Sequence, residues 1–153
     1  NINIGGYMEI IKVNLNDSNE EFLSYLKTVD WGAAKNLRKY LENKTVKENL
    51  GKDSQIFYAK EDGNIIGFFA LVNQDYIKLP TYDRFISSVW VDPSYRGRGL
   101  SYDFVKYAEK ESGLKKMNIL SQHKGLYEKM GYKLIDNFTD SIHDKDYLYE
   151  KTL

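Results

Sequence analysis

Apolar and polar positions alternate over residues 9–13, with Ile11 and Val13 on one face, which predicts a short strand. Phe22, Leu23, Leu26 and Val29 then recur at helical spacing. Ser18 and Glu21, three residues apart, stand before them as a capping-box signature. Asp30-Trp31-Gly32 breaks that helix, and Leu37, Tyr40 and Leu41 mark a second one, lysine-rich on its other face, that fades before Gly51. Residues 55–60 read as a strand and residues 65–72 as its return, across an Asp62-Gly63 pair that is a strong hairpin signal. Nearly every residue of 65–72 is apolar, so this strand is expected at the centre of a sheet, buried on both faces. Gly67 inside it predicts a bulge or a close backbone approach. Residues 73–83 form a polar and aromatic loop, and 84–91 the next strand.

That strand ends at Asp92-Pro93-Ser94, because proline cannot donate to a ladder. Gly97 and Gly99 follow, and Leu100, Phe104, Tyr107 and Ala108 then define one face of a helix that closes on Gly113 as a C-cap. Residues 117–120 are a strand, and a strand–helix–strand unit implies parallel pairing with a right-handed crossover. Residues 124–130 are expected as a short helix capped by Gly131, and 132–138 and 146–151 as two last strands joined by polar residues 139–145. The order β-α-α-β-β-β-α-β-α-β-β predicts a mixed α/β sheet of six to seven strands flanked by helices. Residues 1–7 are small, polar and unlike the rest, so Met8 reads as the natural start and 1–7 as a remnant; residues 8–153 are expected to form one domain.

The loop before the third main helix is where chemistry enters. A glycine-punctuated turn opens onto a helix N-terminus whose free N–H groups and positive dipole end face outward, flanked by Arg96 and Arg98. This is an anion site, most naturally for a phosphate or pyrophosphate, or else a plain turn with solvated arginines. It is neither a G-x-x-x-x-G-K-[ST] loop nor a G-x-G-x-x-G fingerprint. The chain has 22 basic and 22 acidic residues, and this balance disfavours a nucleic-acid or membrane-surface partner. With no cysteine, thiolate catalysis and cysteine-ligated zinc are out, and His123 and His143 show no metal-ligand spacing, so no metal is expected. No signal peptide or transmembrane run stands out, and a soluble cytoplasmic protein is the expectation.

Two motifs then coincide with the element order. Residues Val89-Trp90-Val91-Asp92-Pro93-Ser94-Tyr95-Arg96-Gly97-Arg98-Gly99-Leu100 resemble the acetyl-CoA-binding motif of the GNAT superfamily of N-acetyltransferases, R/Q-x-x-G-x-G/A, with Arg96, Gly99 and Ser101 at its fixed positions. Ser101 departs from the usual Gly or Ala, but is small enough to keep a close approach. Gly125-Leu126-Tyr127-Glu128-Lys129-Met130-Gly131-Tyr132 resembles the family's second segment at the expected distance.

The resemblance implies a GNAT-type fold and transfer of acetyl from acetyl-CoA, as cosubstrate, to a primary amine of a small molecule or peptide by direct attack in a ternary complex. It implies that the pyrophosphate sits on backbone N–H groups of residues 97–102, that is Gly97, Arg98, Gly99, Leu100, Ser101 and Tyr102, with Arg96 and Arg98 adding charge. Pantetheine would pair with the strand bearing Val89, and the oxyanion donor would be the N–H of Trp90 or Val91. Tyr127 matches the general acid that protonates a departing thiolate, whose thiol has a pKa of roughly 8.5; packing is its other reading. Asp83 is a candidate base, with Ser87 or Ser88 positioning water. His123 is a helix-start residue, a CoA contact or a base. An acceptor rim of Trp31, Tyr76, Tyr82, Asp75, Asp83, Asp140 and Asp144, with His143 nearby, would suit a cationic amine. The alternative to an enzyme is a non-catalytic CoA-binding sensor of the same fold. Edge strands leave a homodimer open.

Overall fold

The computed structural model describes residues 2–4, 8–139, 143 and 145–153, residues 2–4 through their backbone alone. Asp140 and Asp144 lie outside the described residues, as do residues 1 and 5–7 of the segment expected to be a remnant. Strand β1 (Ile2–Ile4) pairs antiparallel with β2 (Met8–Lys12), which pairs with β3 (Gln55–Glu61). A tight turn with Asp62 and Gly63 both at positive φ returns the chain into β4 (Asn64–Val72). β4 is buried from Ile65 onward, as its unbroken apolar run requires. β5 (Phe85–Val91) lies beside it, followed by β6 (Lys116–Ser121), β7 (Lys133–Phe138) and β8 (Asp146–Thr152). The sheet runs β1-β2-β3-β4-β5-β6-β8-β7, and β5 with β6 is its parallel pair. Seven strands from Met8 onward match the expected sheet; β1 is an added edge strand.

Helix α4 (Leu100–Ser112) covers one face, burying Leu100, Phe104, Val105 and Ala108 against Phe57, Phe69 and Ile86. Helices α1 (Glu20–Lys27) and α2 (Gly32–Asn43) cover the other, with Phe22, Leu26, Leu37 and Leu41 against Ile56, Phe68 and Phe85. Alternation along each strand feeds the two cores from one sheet. Gly67 sits where β4 meets α4: a Cβ there would stand 2.5 Å from the Trp90 carbonyl oxygen and 2.6 Å from the Phe104 ring.

Four local expectations are corrected. The capping box does not form: Asn19, left-handed at φ 52°, precedes α1, and its amide donates to the carbonyls of Asn14 and Asp17. In β2 it is Met8 and Ile10 that are buried, with Ile11 only partly so. A one-turn-and-a-half helix α3 (Val46–Leu50) follows α2, because Lys44 ends α2 in the left-handed region and Val46 then anchors a new turn in the core. The helix expected over 124–130 shrinks to a 3-10 turn at Glu128–Met130. Gly125, at φ 100°, takes the backbone out of helical geometry, and its N–H is held by the Glu128 side chain at 2.8 Å.

Candidate active site

The site begins with a fault in β5. Between Phe68 and Ala70 the register of β4 with β5 shifts, and Ser88 takes a left-handed backbone at φ 56°. This bulge bends β5 away from β6. Their parallel pairing lasts only for Phe85 with Asn118 and Ile86 with Ile119; beyond it the strands splay. A cleft of about 480 Å³ fills the gap, lined by β5 from Ile86 to Val91 and by residues Ile119 to His123. The N–H and C=O groups of β5 on this side are released from the ladder, and a ligand carrying amides can replace the missing strand.

At one end of the cleft stand Arg96, Gly97, Gly99, Leu100 and Ser101. Gly97 and Gly99 adopt φ 83° and 75°, a region that L side chains enter at a cost. Gly99 caps α4 with no side chain bonded to the first turn, so the leading amides of the helix are free to hold an anion. Arg96 Nε donates to the Val91 carbonyl at 2.9 Å, and its guanidinium lies 4.8 Å from the Trp90 ring centroid, which holds the cation beside the loop. The open strand edge, uncapped helix and fixed arginine fit a CoA pantetheine and pyrophosphate. Arg98 and Tyr102 lie outside the cleft lining. Arg98 instead makes a two-pronged pair with Glu61 at 2.7 and 2.8 Å, which holds the Glu61 carboxyl below the usual range, and Tyr102 is 46% exposed.

The aromatic wall is built from α1, α2 and β5. Trp31 stacks on Trp90 at 5.6 Å between centroids, and both line the cleft. Trp90 Nε1 donates to the Tyr25 hydroxyl at 3.1 Å, which donates to Asp92 at 2.8 Å. Burial chiefly, and the Asp92 carboxylate besides, push the Tyr25 phenol well above its ordinary range.

The opposite wall carries the titratable groups. Tyr127 lines the cleft at 5% exposure. Burial pushes its phenol up to about 12; the Asp75 charge adds to the rise and a bond with the Ser121 hydroxyl opposes it. Tyr127 therefore keeps its proton throughout the physiological range. Asp75 also lines the cleft, buried, with its carboxyl pushed up to about 6, mainly by burial. The Tyr76 N–H, donating at 2.8 Å, and the Ser87 hydroxyl partly offset that rise, as does the more distant Lys78 charge; Asp146 reinforces it. Asp146 is fully buried and accepts from the Tyr76 hydroxyl and, at 3.0 Å, from Gln122. His143 Nδ1 lies 3.2 Å from the same oxygen, while Asp146 Oδ2 has no partner among the described residues. His123 lines the cleft, with its N–H donating to Ser121 Oγ at 3.0 Å and its carbonyl accepting from the Tyr149 hydroxyl.

Of the expected site residues, the fold brings Trp90, Val91, Arg96, Gly97, Gly99, Leu100, Ser101 and Tyr127 into one cleft. It leaves Asp83 outside: this residue is exposed, and it precedes β5 at the end away from the splay. The carboxylate that does enter is Asp75, three residues beyond the buried β4 and aligned by Ser87 across the strand pair. Its place just after the apolar run of β4 was the available signal.

Residues 52–134 match the family model for the acetyltransferase (GNAT) domain. Among curated proteins nothing matches the sequence. Solved structures share the fold. An aminoglycoside 6'-acetyltransferase type Ii superposes with a TM-score of 0.67 at 19% identity, covering 94% of this chain and 96% of that one. An acetyltransferase from Streptococcus agalactiae gives 0.65 at 18%, with 95% and 98% covered. A GNAT family acetyltransferase from Elizabethkingia anophelis with acetyl-CoA bound gives 0.62 at 16%, with 96% and 99% covered. At such identities the likeness is one of fold.

Proposed function

The chain belongs to the GNAT acetyltransferase family, and from that premise we propose that it transfers acetyl from acetyl-CoA to a primary amine of a small molecule or peptide by direct attack within a ternary complex. It is an acetyl-CoA-dependent acyltransferase; the acceptor class and the residue roles are our reading. The observation that carries this reading is the splay of β5 from β6 at the Ser88 bulge, ending at the uncapped, arginine-flanked start of α4.

The chemistry follows from position. The β5 edge and the α4 amides align the thioester, with Arg96 on its phosphates. An N–H of Trp90 or Val91 meets the carbonyl oxygen as it gains negative charge. Asp75, ionised at neutral pH, attracts the acceptor ammonium and takes its proton directly or through a water shared with Ser87. The amine nitrogen bonds the carbonyl carbon, and the carbon–sulfur bond breaks. The Tyr127 hydroxyl gives its proton to the departing sulfur. Trp31, Trp90 and Tyr76 beside Asp75 and Asp146 favour a cationic acceptor. We take residues 8–153 as a single catalytic unit; no helix among the described residues is long and apolar enough to cross a membrane.

Two measurements test this. Acetyl-CoA at a hundred times its dissociation constant should stabilise the protein by about 2.7 kcal/mol; absence of any rise in Tm removes the CoA site. Thiol release across a panel of polyamines, aminoglycosides and lysine peptides should then reveal an acceptor. A CoA-stabilised protein that acetylates no amine in the panel is the sensor of the alternative reading.

A further inference from the structure

A second depression, of about 710 Å³, lies at the other end of the sheet. It is bounded by the C-terminal end of β2, the approach to β3, the residue before β5 and the last turn of α4. The same strand, β5, thus starts at this pocket and ends in the cleft. The lining is strongly polar: Lys12, Lys47, Lys52 and Arg84 stand with Asp53 and Glu111. Among the described residues none of these four cationic side chains makes an ion pair or a hydrogen bond. Asp53 Oδ2 accepts from the Asn73 amide at 3.1 Å. Four cations against two carboxylates leave the lining with a positive excess.

A separate observation points the same way. Ser54 Oγ and Arg84 Nε are buried without any hydrogen-bond partner among the described residues, and both residues line this pocket. Ser54 is 4% exposed. A guanidinium nitrogen is a donor only, and a serine hydroxyl can rotate to donate. Native chains rarely bury such groups unmet, least of all a charged one. Ser54, Arg84 and the three lysines lack the same thing: an acceptor with negative charge. A carboxylate or phosphate is acceptor-only and matches the guanidinium fork, and a pocket of this size admits a metabolite rather than a lone ion.

We propose that this pocket is a second binding site, distinct from the acetyl-transfer cleft, for a small polyanion bearing phosphate or carboxylate groups. Arg84 and Ser54 seat the anion, and Lys12, Lys47 and Lys52 hold it from the rim. The phosphate group and the carboxylate group are shared chemistry for different metabolites, and the titration separates them.

Isothermal titration of the full chain with inorganic phosphate and with citrate tests the site at an ionic strength held constant with sodium chloride. The titration is run without CoA, itself a phosphate-bearing polyanion, on the wild type and on the Arg96→Ala variant; an isotherm that persists unchanged in the variant belongs to this pocket rather than to the cleft. Saturable binding of at least one anion is expected, and the better one names the group. The Lys47→Gln/Lys52→Gln variant, altered only at exposed positions, should weaken binding about tenfold. Arg84→Gln should abolish it. No saturable binding of either anion, or binding undiminished in the lysine variant, overturns the proposal.

Discussion

Replacing Asp75 by asparagine should make the protein more stable and the enzyme much slower. The side chain keeps its shape and a carbonyl oxygen to accept the Tyr76 N–H, which donates to Asp75 at 2.8 Å. What it loses is the charge. An aspartate ionises near 3.8 in the unfolded chain, and Asp75 near 6 in the folded one. Between those values the folded chain holds a proton that the unfolded chain has released. Stability therefore falls as pH rises from 3.8 to about 6 and stays reduced above that. At about 1.4 kcal/mol per pH unit, the gap amounts to about 3 kcal/mol at neutral pH. Asparagine removes this penalty. Urea unfolding of both proteins at a series of pH values should show equal stability below the window, a growing advantage for Asp75→Asn through it, and a plateau above. The same variant should lose about 10²- to 10⁴-fold in kcat, with loss of the acidic limb of the pH profile of kcat/KM. Wild-type turnover in the variant refutes the base assignment. A stability difference that does not change with pH refutes the burial argument, whatever the kinetics.

Three further outcomes bear on other parts of the cleft. Tyr127→Phe should lower kcat about 10²-fold at neutral pH with KM for acetyl-CoA unchanged, and thiol-release assays from about pH 6.5 to 9.5 should show the deficit shrinking as the thiolate leaves unaided. Arg96→Ala should weaken CoA binding about 10- to 100-fold, whereas Arg98→Ala, whose charge already meets Glu61, should cost less than about fivefold; titration calorimetry on both variants decides whether the two arginines differ. Gly67→Ala would place a Cβ 2.5 Å from a backbone oxygen that cannot yield cheaply, so urea melts should show a loss of about 1–3 kcal/mol, and an unchanged midpoint would mean that β4 and β5 are less tightly apposed.

How far the fold could be read depends on the range of the interactions that decide each element. β4 was legible because eight successive buried positions leave no other place for it, and the hairpin before it because Asp62 and Gly63 suit two positive φ angles. The Ser88 bulge was not. Local rules assign a left-handed backbone to glycine, asparagine or aspartate, and Ser88 takes it only because the flanking register of β4 with β5 shifts by one residue. The splay that makes the cleft follows from that shift, so the decisive feature of the site has no local signature. The turn at Glu128–Met130 failed for the converse reason. Leu126, Tyr127 and Met130 have helical spacing, but Gly125 and the Glu128 side chain settle a different backbone nearby.

The same distinction divides the site residues. Gly97 and Gly99 were readable because the demand they meet is a property of their own φ. Asp75 and Asp83 are two acids in one polar loop, told apart in the sequence only by Asp75 standing nearer the apolar run of β4. Burial raises the Asp75 carboxyl, with Ser87 from β5 hydrogen-bonded to it and the Asp146 charge from β8 acting on it, while Asp83 stays in solvent. Arg96 and Arg98 repeat the lesson at closer quarters. They are two residues apart with glycines between and after them, yet Glu61 at the tip of the β3–β4 hairpin claims one and the Val91 carbonyl holds the other against the cleft. Charge in this protein is assigned its work by what the fold packs beside it.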